Sequence, residues 1–417
     1  MAETILLLGW GVETASFAAV APPDDRLLLV GPPPPADIAP RVSYLGPVAP
    51  EGIEVDRVLR SPSFRPDDVA VAAVSTTTPI TTPTGRWFET RPVPGRIVAI
   101  TGSKAKSSTA SLVDMGLGLC GVEHRVAGNI GASVWSIEAS AATEDGVTVV
   151  ELSSYQCHDL PAGADDAALT FLSADHLDWH GGLSKYHADK LRLVRLTSPR
   201  PCLTGDAATA EIAAGFGLPL TIAAAVDAAP RVQNSTLAAA VVGVLVGLDA
   251  TDVRGLVESM LADYPVLPSR MQTIGHLGTC EVIDDALGSN PTATSAALRQ
   301  VAGRRVAWIM GGARRGVALD PLVQPAAVVV ASGGVVLAFG EAGATLRALL
   351  AAAGVGGVVE VASLEQGVEN AVTSGSDVIL FSPSGPTPPE EGTWKERSAR
   401  FAAAVTRAGG DEWVPAH

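Results

Sequence analysis

The chain has 417 residues, 47% of them apolar, and its 44 acidic against 29 basic side chains leave a formal charge of −15. Such a composition is globular rather than disordered, long enough for two or three domains, and too acidic for nucleic acid to be the main partner. The four cysteines are scattered without metal-ligand spacing, the start MAETILLLGWGVETA does not read as a signal peptide, and every long apolar run is interrupted by Gly, Pro or charge, so a reducing, cytoplasmic setting and no membrane span are expected.

Along the chain, residues 5–8 form a short apolar run closed by Gly9-Trp10-Gly11, the pattern of a buried strand, a tight turn and then a helix. Residues 26–30 repeat the strand pattern and end at Gly31 and the prolines Pro32 to Pro35, which cannot enter a central strand and predict a loop. Residues 69–74 predict another strand, running into Ser75-Thr76-Thr77. This alternation predicts a small Rossmann-like domain, closed by the punctuation of Pro92, Pro94 and Gly95. Beyond it, 97–100, 147–152 and 168–172 are strand-like, and the Ala/Val/Leu-rich stretch 232–248 predicts a buried helix. That is the pattern of a parallel sheet wrapped by helices. The segment 263–270, with Pro265 and Pro268, marks a second boundary. After it, short β-type runs at 279–283, 305–310, 327–330, 334–338 and 377–381 predict a third α/β domain.

The run VAITGSKAKSST, Val98 to Thr109, carries the clearest chemistry. A β-branched strand leads into the loop Gly102-Ser103-Lys104-Ala105-Lys106-Ser107-Ser108. Backbone N–H groups and a helix N-terminus can cradle phosphate there, Lys106 can reach the terminal phosphates, and the Ser107 hydroxyl can hold Mg²⁺. The spacing departs from G-x-x-x-x-G-K-[ST], because Ala105 stands where a glycine usually precedes the lysine. Taken alone, the loop also fits a polar strand-to-helix turn with two solvated lysines. Glu151 closes the run VTVVE, and a carboxylate at the carboxyl end of a parallel strand stands at the ligand edge of the sheet.

Five segments in order carry a resemblance: ITGSKAKSST (100–109), GNIG (128–131), VVELSSYQ (149–156), LSADHLDWHGGLSKYHADKLRL (172–193), and LPSR (267–270) with IDDALGSNPTATSAAL (283–298). Through them the chain resembles the Mur ligase family, in particular its MurD-like, glutamate-adding type. MGGARRG (310–316) and SPSGPT with the following W-KER fit less closely. The resemblance spans nearly the whole chain and implies an α/β protein of three domains. These are a Rossmann-like UDP-sugar domain at 1–93, a central P-loop ATPase domain with a parallel sheet at 94–268, and a Rossmann-like amino-acid domain at 269–417; the Pro/Gly punctuation agrees with these boundaries. It also implies a cytoplasmic, monomeric, ATP-dependent amide ligase of peptidoglycan-precursor synthesis. The substrates implied are ATP, glutamate and UDP-N-acetylmuramoyl-L-alanine.

The resemblance implies these site residues. Lys106, Lys190, His176 and Glu151 would be catalytic, with Lys190 carried as a carbamate. Ser107, Glu151 and His176 would hold Mg²⁺, with Mn²⁺ as an alternative because imidazole is an unusual Mg²⁺ ligand. Gly102, Ser103, Lys104, Ala105, Lys106, Ser107, Ser108, Asn234, Arg270 and Asp285 would contact ATP, although Lys104 fits a solvated position equally well. Gly9, Gly11, Ser75, Asn129, Ser153, Ser154 and Gln156 would face the UDP-linked acceptor. Leu287, Ser289, Arg315, Thr387 and Trp394 would form the amino-acid pocket. In D-glutamate-adding members a Lys and a Thr stand where this chain has Leu287 and Ser289, and a Lys where it has Arg315. With ADKLRL and the proline of SPSGPT, this looks more like the branch that adds L-glutamate. D-glutamate addition stays open as an alternative, as does a catalytically weakened homologue acting as a binding protein.

Overall fold

The computed structural model describes residues 2–416, apart from 37–38, 51, 63, 69–70, 72–77, 130, 138–142, 201, 224–229, 264–267 and 315. The chain divides into two compact units, residues 1–172 with 182–264, and residues 173–181 with 265–417. Among the described residues no helix is long and apolar enough to cross a membrane.

The first unit holds two sheets. Strands β1 (Thr4–Leu8), β2 (Arg26–Val30), β3 (Ser43–Gly46), β4 (Arg57–Arg60) and β5 (Ile80–Thr81) pair in the order β3-β2-β1-β4-β5. The strand expected at 69–74 lies almost wholly outside the described residues. Strands β6 (Arg96–Thr101), β7 (His124–Gly128), β8 (Val147–Glu151), β9 (Asp166–Leu169), β10 (Cys202–Thr204) and β11 (Thr221–Ile222) form the second sheet, in the order β11-β10-β9-β6-β8-β7. Every pairing in this sheet is parallel, as the sequence led one to expect.

The apolar runs explain themselves through the period-two geometry of a strand. Ile97 and Ala99 join one core while Val98 and Ile100 join the core on the opposite face. Ile5 and Leu7 are likewise separated from Leu6 and Leu8. A strand buried on both faces has no polar alternation to show, hence the continuous runs. The helix Pro230–Val246 supplies Leu237, Ala238, Val241 and Val242 to the second of these cores, which accounts for its apolar composition.

The second unit holds β12 (Gln272–Leu277), β13 (Cys280–Asp284), β14 (Val306–Gly311), β15 (Val335–Phe339), β16 (Val358–Glu360), β17 (Val378–Ser384) and β18 (Trp413–Pro415), in the order β16-β15-β14-β17-β13-β12-β18. Its centre is parallel, and β12 pairs antiparallel with both β13 and β18. The expected strand at 327–330 is a correction. Those residues lie in the helix Val323–Ala331, and the strand follows only at β15. A short Val-rich run carries no periodicity that separates strand from buried helix. Here Ala326 and Val329, three residues apart, face the core, which is helical spacing.

Candidate active site

The second sheet brings most of the expected nucleotide residues together. β6 and β8 are neighbours with Ile100 opposite Glu151, so the loop after β6 and the carboxylate ending β8 stand at one carboxyl edge of a parallel sheet. The loop is pinned closely. Gly102 has φ +149°, and a Cβ there would lie 2.0 Å from Thr170 Oγ1. The Ser103 N–H donates to the Phe171 carbonyl at 2.6 Å. Ala105 takes the left-handed conformation (φ +68°, ψ 0°) and opens the helix Lys106–Leu119 without a side-chain cap. That conformation is why glycine is usual at this position; alanine tolerates it at a cost of about 1 kcal/mol. An uncapped helix start leaves N–H donors pointing outward, the arrangement that accepts phosphate. Lys106, Ser107 and Ser108 occupy this first turn, half-buried, and Lys106 Nζ lies 3.5 Å from the Ser103 carbonyl.

The helix Leu183–Thr197 holds the loop from beneath. Lys190 is only 1% exposed, and its Nζ donates to the Gly102 carbonyl at 2.7 Å. One turn earlier, Tyr186 donates from its hydroxyl to Ser103 Oγ at 2.7 Å. Tyr186 was not singled out from the sequence. The available signal was its i, i+4 spacing to Lys190, which puts both side chains on one helix face.

Glu151 is 1% exposed. Its Oε1 accepts from Asn129 Nδ2 at 2.9 Å, its backbone carbonyl accepts the Asn129 N–H at 2.9 Å, and its Oε2 is buried without a hydrogen-bond partner among the described residues. Gly128 permits this approach, since a Cβ there would sit 2.3 Å from the Glu151 carbonyl oxygen. Ser153 caps the short helix Ser154–His158 in a capping box with Gln156. Gln156 points inward: Oε1 accepts the Ser153 N–H at 2.7 Å, and Nε2 donates to Glu13 Oε1 at 2.8 Å and Thr84 Oγ1 at 3.2 Å. Its amide braces the site from behind. Burial pushes the Glu13 carboxyl above its ordinary value, against the pull of hydrogen bonds from Thr84 and Gln156. Ser154 is buried, Gly9 lies in the buried turn after β1, Gly11 is half-buried, and Asn234 is half-buried on its helix. Ser75 lies outside the described residues.

In the second unit, Arg270 sits between Ser269 (φ +57°) and Met271 (φ +48°), two non-glycine residues in left-handed backbone. Two aspartates hold this turn. Ser269 Oγ donates to Asp284 Oδ2 at 2.8 Å, and the Met271 N–H donates to Asp285 Oδ1 at 3.2 Å. Asp285 Oδ2 also accepts from Ser382 Oγ at 2.7 Å. Burial pushes the Asp285 carboxyl up to about 7, although the hydrogen bonds and Arg270 pull it down. A carboxyl raised from its usual 3.8 favours the folded state when protonated. Its contribution is therefore full below about pH 4 and is lost as pH rises through about 7. Asp285→Asn imitates the protonated form, so its melting temperature relative to the parent should climb between pH 5 and pH 8. Thermal scans at the two pH values check this, and a constant offset would refute it.

Of the remaining residues, His176 (φ +51°) donates its N–H to Asp175 Oδ1 at 3.0 Å, and its Nε2 lies 3.8 Å from that same oxygen. Leu287 and Ser289 are half-buried beyond Asp285, and Trp394 is half-buried at the start of the helix Trp394–Gly409. Thr387 Oγ1 is buried without a partner among the described residues. Arg315 lies outside the described residues.

A phosphate-type loop, a buried acidic strand end and a further α/β unit together define a nucleotide-dependent ligase class. The Mur ligase middle-domain model matches residues 100–205, and the Mur ligase glutamate ligase domain model matches residues 269–385. The chain belongs to the Mur ligase family, ATP-binding ligases of peptidoglycan synthesis. It is 30% identical to the UDP-N-acetylmuramoylalanine--D-glutamate ligase of Rubrobacter xylanophilus, over 86% of each chain. It is also 30% identical to the UDP-N-acetylmuramoyl-L-alanine--L-glutamate ligase of Salinispora tropica, over 80% of this chain and 79% of the other. Among solved structures, MurF from Acinetobacter baumannii shares the fold with a TM-score of 0.60 at 14% identity, covering 96% of this chain and 93% of that one.

Proposed function

We propose that this protein joins glutamate, in its L form, to the free carboxylate of UDP-N-acetylmuramoyl-L-alanine, with cleavage of ATP to ADP and phosphate, as a cytoplasmic monomer. The observation that carries the reading is the meeting of the Gly102–Ser108 loop, the buried Glu151 carboxylate and Lys190 at one sheet edge. Phosphoryl transfer is mostly positioning and charge stabilisation, and these residues supply both. The loop N–H groups and Lys106 hold the γ-phosphoryl group while the acceptor carboxylate attacks it. The glutamate amine then displaces phosphate from the acyl phosphate. Lys190 fixes the loop through the Gly102 carbonyl and is the proposed carbamylation site. Mg²⁺ fits the edge, because the unpartnered Oε2 of Glu151 is a hard oxygen donor. Ser107 is the second proposed donor, and His176 stays a proposed ligand on the family resemblance alone. The ion supplies charge neutralisation on the phosphates when bound.

Support for the L form comes from Leu287, which offers no donor to a carboxylate where the D-adding type has a lysine. The relatives at 30% identity carry both names. A phosphate-release assay with UDP-N-acetylmuramoyl-L-alanine and each glutamate enantiomer tests the reading. It should give ADP and phosphate, with kcat/KM for L-glutamate at least about ten-fold the higher, the discrimination of roughly one polar contact. AMP and pyrophosphate would overturn the chemistry; preference for D-glutamate would overturn the handedness alone.

A further inference from the structure

Arg270, the expected ATP contact, sits in a turn of the second unit that a free backbone would not favour. Its neighbours Ser269 (φ +57°) and Met271 (φ +48°) are both left-handed without being glycine. Such residues persist only where their surroundings over-determine them. The Ser269 N–H donates to Gln272 Oε1 at 3.0 Å, its carbonyl accepts the Leu287 N–H at 3.1 Å, and its Oγ donates to Asp284 Oδ2 at 2.8 Å.

Asp284, the last residue of β13, is buried and serves as a shared anchor. Its Oδ1 accepts the Ala286 N–H at 2.9 Å, and its Oδ2 accepts from a second hydroxyl, Ser398 Oγ, at 2.5 Å. Ser398 Oγ also lies 2.8 Å from Ser269 Oγ, so oxygens from three separate segments meet at one point. A buried carboxylate is costly unless its lone pairs are filled. Ser398 is therefore one of the donors that keep Asp284 in place to hold Ser269. It reaches the turn from the helix Trp394–Gly409, one turn after Trp394 and on the same helix face. That helix has a fastening of its own, because the buried Arg397 donates to the Gly385 and Ala286 carbonyls, each at 3.1 Å.

We infer that Ser398 is a positioning residue for the nucleotide: through Asp284 and Ser269 it locks the left-handed turn from which Arg270 meets ATP. The inference rests on the ATP role proposed for Arg270. Ser398 is assigned no contact with a substrate and acts on the reaction through the turn. Because Arg397 holds the helix independently, loss of the Ser398 hydroxyl loosens the turn and leaves Trp394 where it is. Ser398 was not singled out from the sequence. Its partners Asp284 and Ser269 lie 114 and 129 residues away, which no local spacing announces.

The test uses Ser398→Ala, Arg270→Ala and the double variant in the full chain. Alanine is the better helix former, so the helix persists. KM for ATP should rise at least about five-fold in Ser398→Ala, on the order of one hydrogen bond to a charged group, with KM for glutamate within about two-fold of the parent. Added to Arg270→Ala, the same change should move the ATP KM by less than about two-fold, because the group it positions is gone. An unchanged ATP KM in Ser398→Ala, whatever its melting temperature, would overturn the inference and leave an ordinary structural bond. Full multiplication of the two single effects in the double variant would overturn it as well. Should Ser398→Ala fail to fold, Ser398→Cys, of similar volume and with only a weak donor, is read by the same ratios. An unchanged ATP KM in Arg270→Ala overturns the nucleotide role of Arg270 and this inference with it. If the parent turns over another amino acid, the glutamate reading alone fails, and the ratios are measured with that amino acid. If none is turned over, calorimetric titration with a non-hydrolysable ATP analogue and Mg²⁺ gives the same ratios as Kd, and a parent that does not bind the analogue overturns both readings.

Discussion

Lys106→Ala should lower kcat by about 10³-fold or more and leave the melting temperature within about 2 °C of the parent. Lys106 is the first residue of its helix, half-buried, at the mouth of the loop. Its Nζ lies 3.5 Å from the Ser103 carbonyl, at the outer limit of a hydrogen bond. The loop itself is held by other groups: Ser103 by Phe171 and Tyr186, and Gly102 by Lys190. Removing Lys106 therefore takes a cation from the place where charge develops on the transferred phosphoryl group, without dismantling the scaffold. Mutations of this kind cost 10²- to 10³-fold for a single preorganised donor in other enzymes, and a full charge on phosphate is worth more. Phosphate release under saturating substrates measures the loss. Near-normal turnover would mean that the loop does not cradle ATP. Tyr186→Phe is the graded comparison, because it removes one positioning hydroxyl while the cation stays.

How much of this was legible before the structure follows from how local each signal is. The Gly102–Ser108 loop was readable because strand, glycine and lysine lie within a dozen residues, and the fold then places Glu151 on the neighbouring strand as the run VTVVE suggested. Buried parallel strands announced themselves as apolar runs, and 26–30, for example, became β2 without adjustment. The antiparallel strands did not. β12 (QTIGHL) is half-exposed and β18 (WVP) is a three-residue edge strand, and their pairing is tertiary information. The Val-rich 327–330 misled because composition without period leaves the choice to the fold. Roles that depend on orientation were the least legible. Gln156 was expected to face a ligand, yet its amide bonds inward to Glu13 and Thr84, from segments 143 and 72 residues away. Such partners cannot be read from spacing.

The same long-range pairing governs the largest stability effect. Arg60 at the end of β4 is 1% exposed and bonds Asp159, after the helix Ser154–His158, through both Nε and a terminal nitrogen; the Nε bond is 2.9 Å. Asp159 in turn accepts through its carbonyl from Thr81 Oγ1 at 2.8 Å. These contacts, with Trp135 Nε1 donating to the Pro83 carbonyl at 2.7 Å and the Trp135 ring 5.1 Å from Phe17, fasten the first sheet to the second within one unit. Asp159→Ala should destabilise that unit by about 3 kcal/mol, because it strands a guanidinium in the interior and does not simply delete one attraction. For a unit of this size that is roughly 6–12 °C in melting temperature. The sign of the effect can be separated from loss of packing by replacing both partners. Arg60→Met with Asp159→Leu removes the charge and its counter-charge together, at the loss of the Arg60 bond to the Phe64 carbonyl, so the double variant should recover most of the loss. Thermal melts of the parent, Asp159→Ala and the double variant decide the matter: a double variant as unstable as Asp159→Ala would mean that the ion pair matters for its geometry and not for its charge balance.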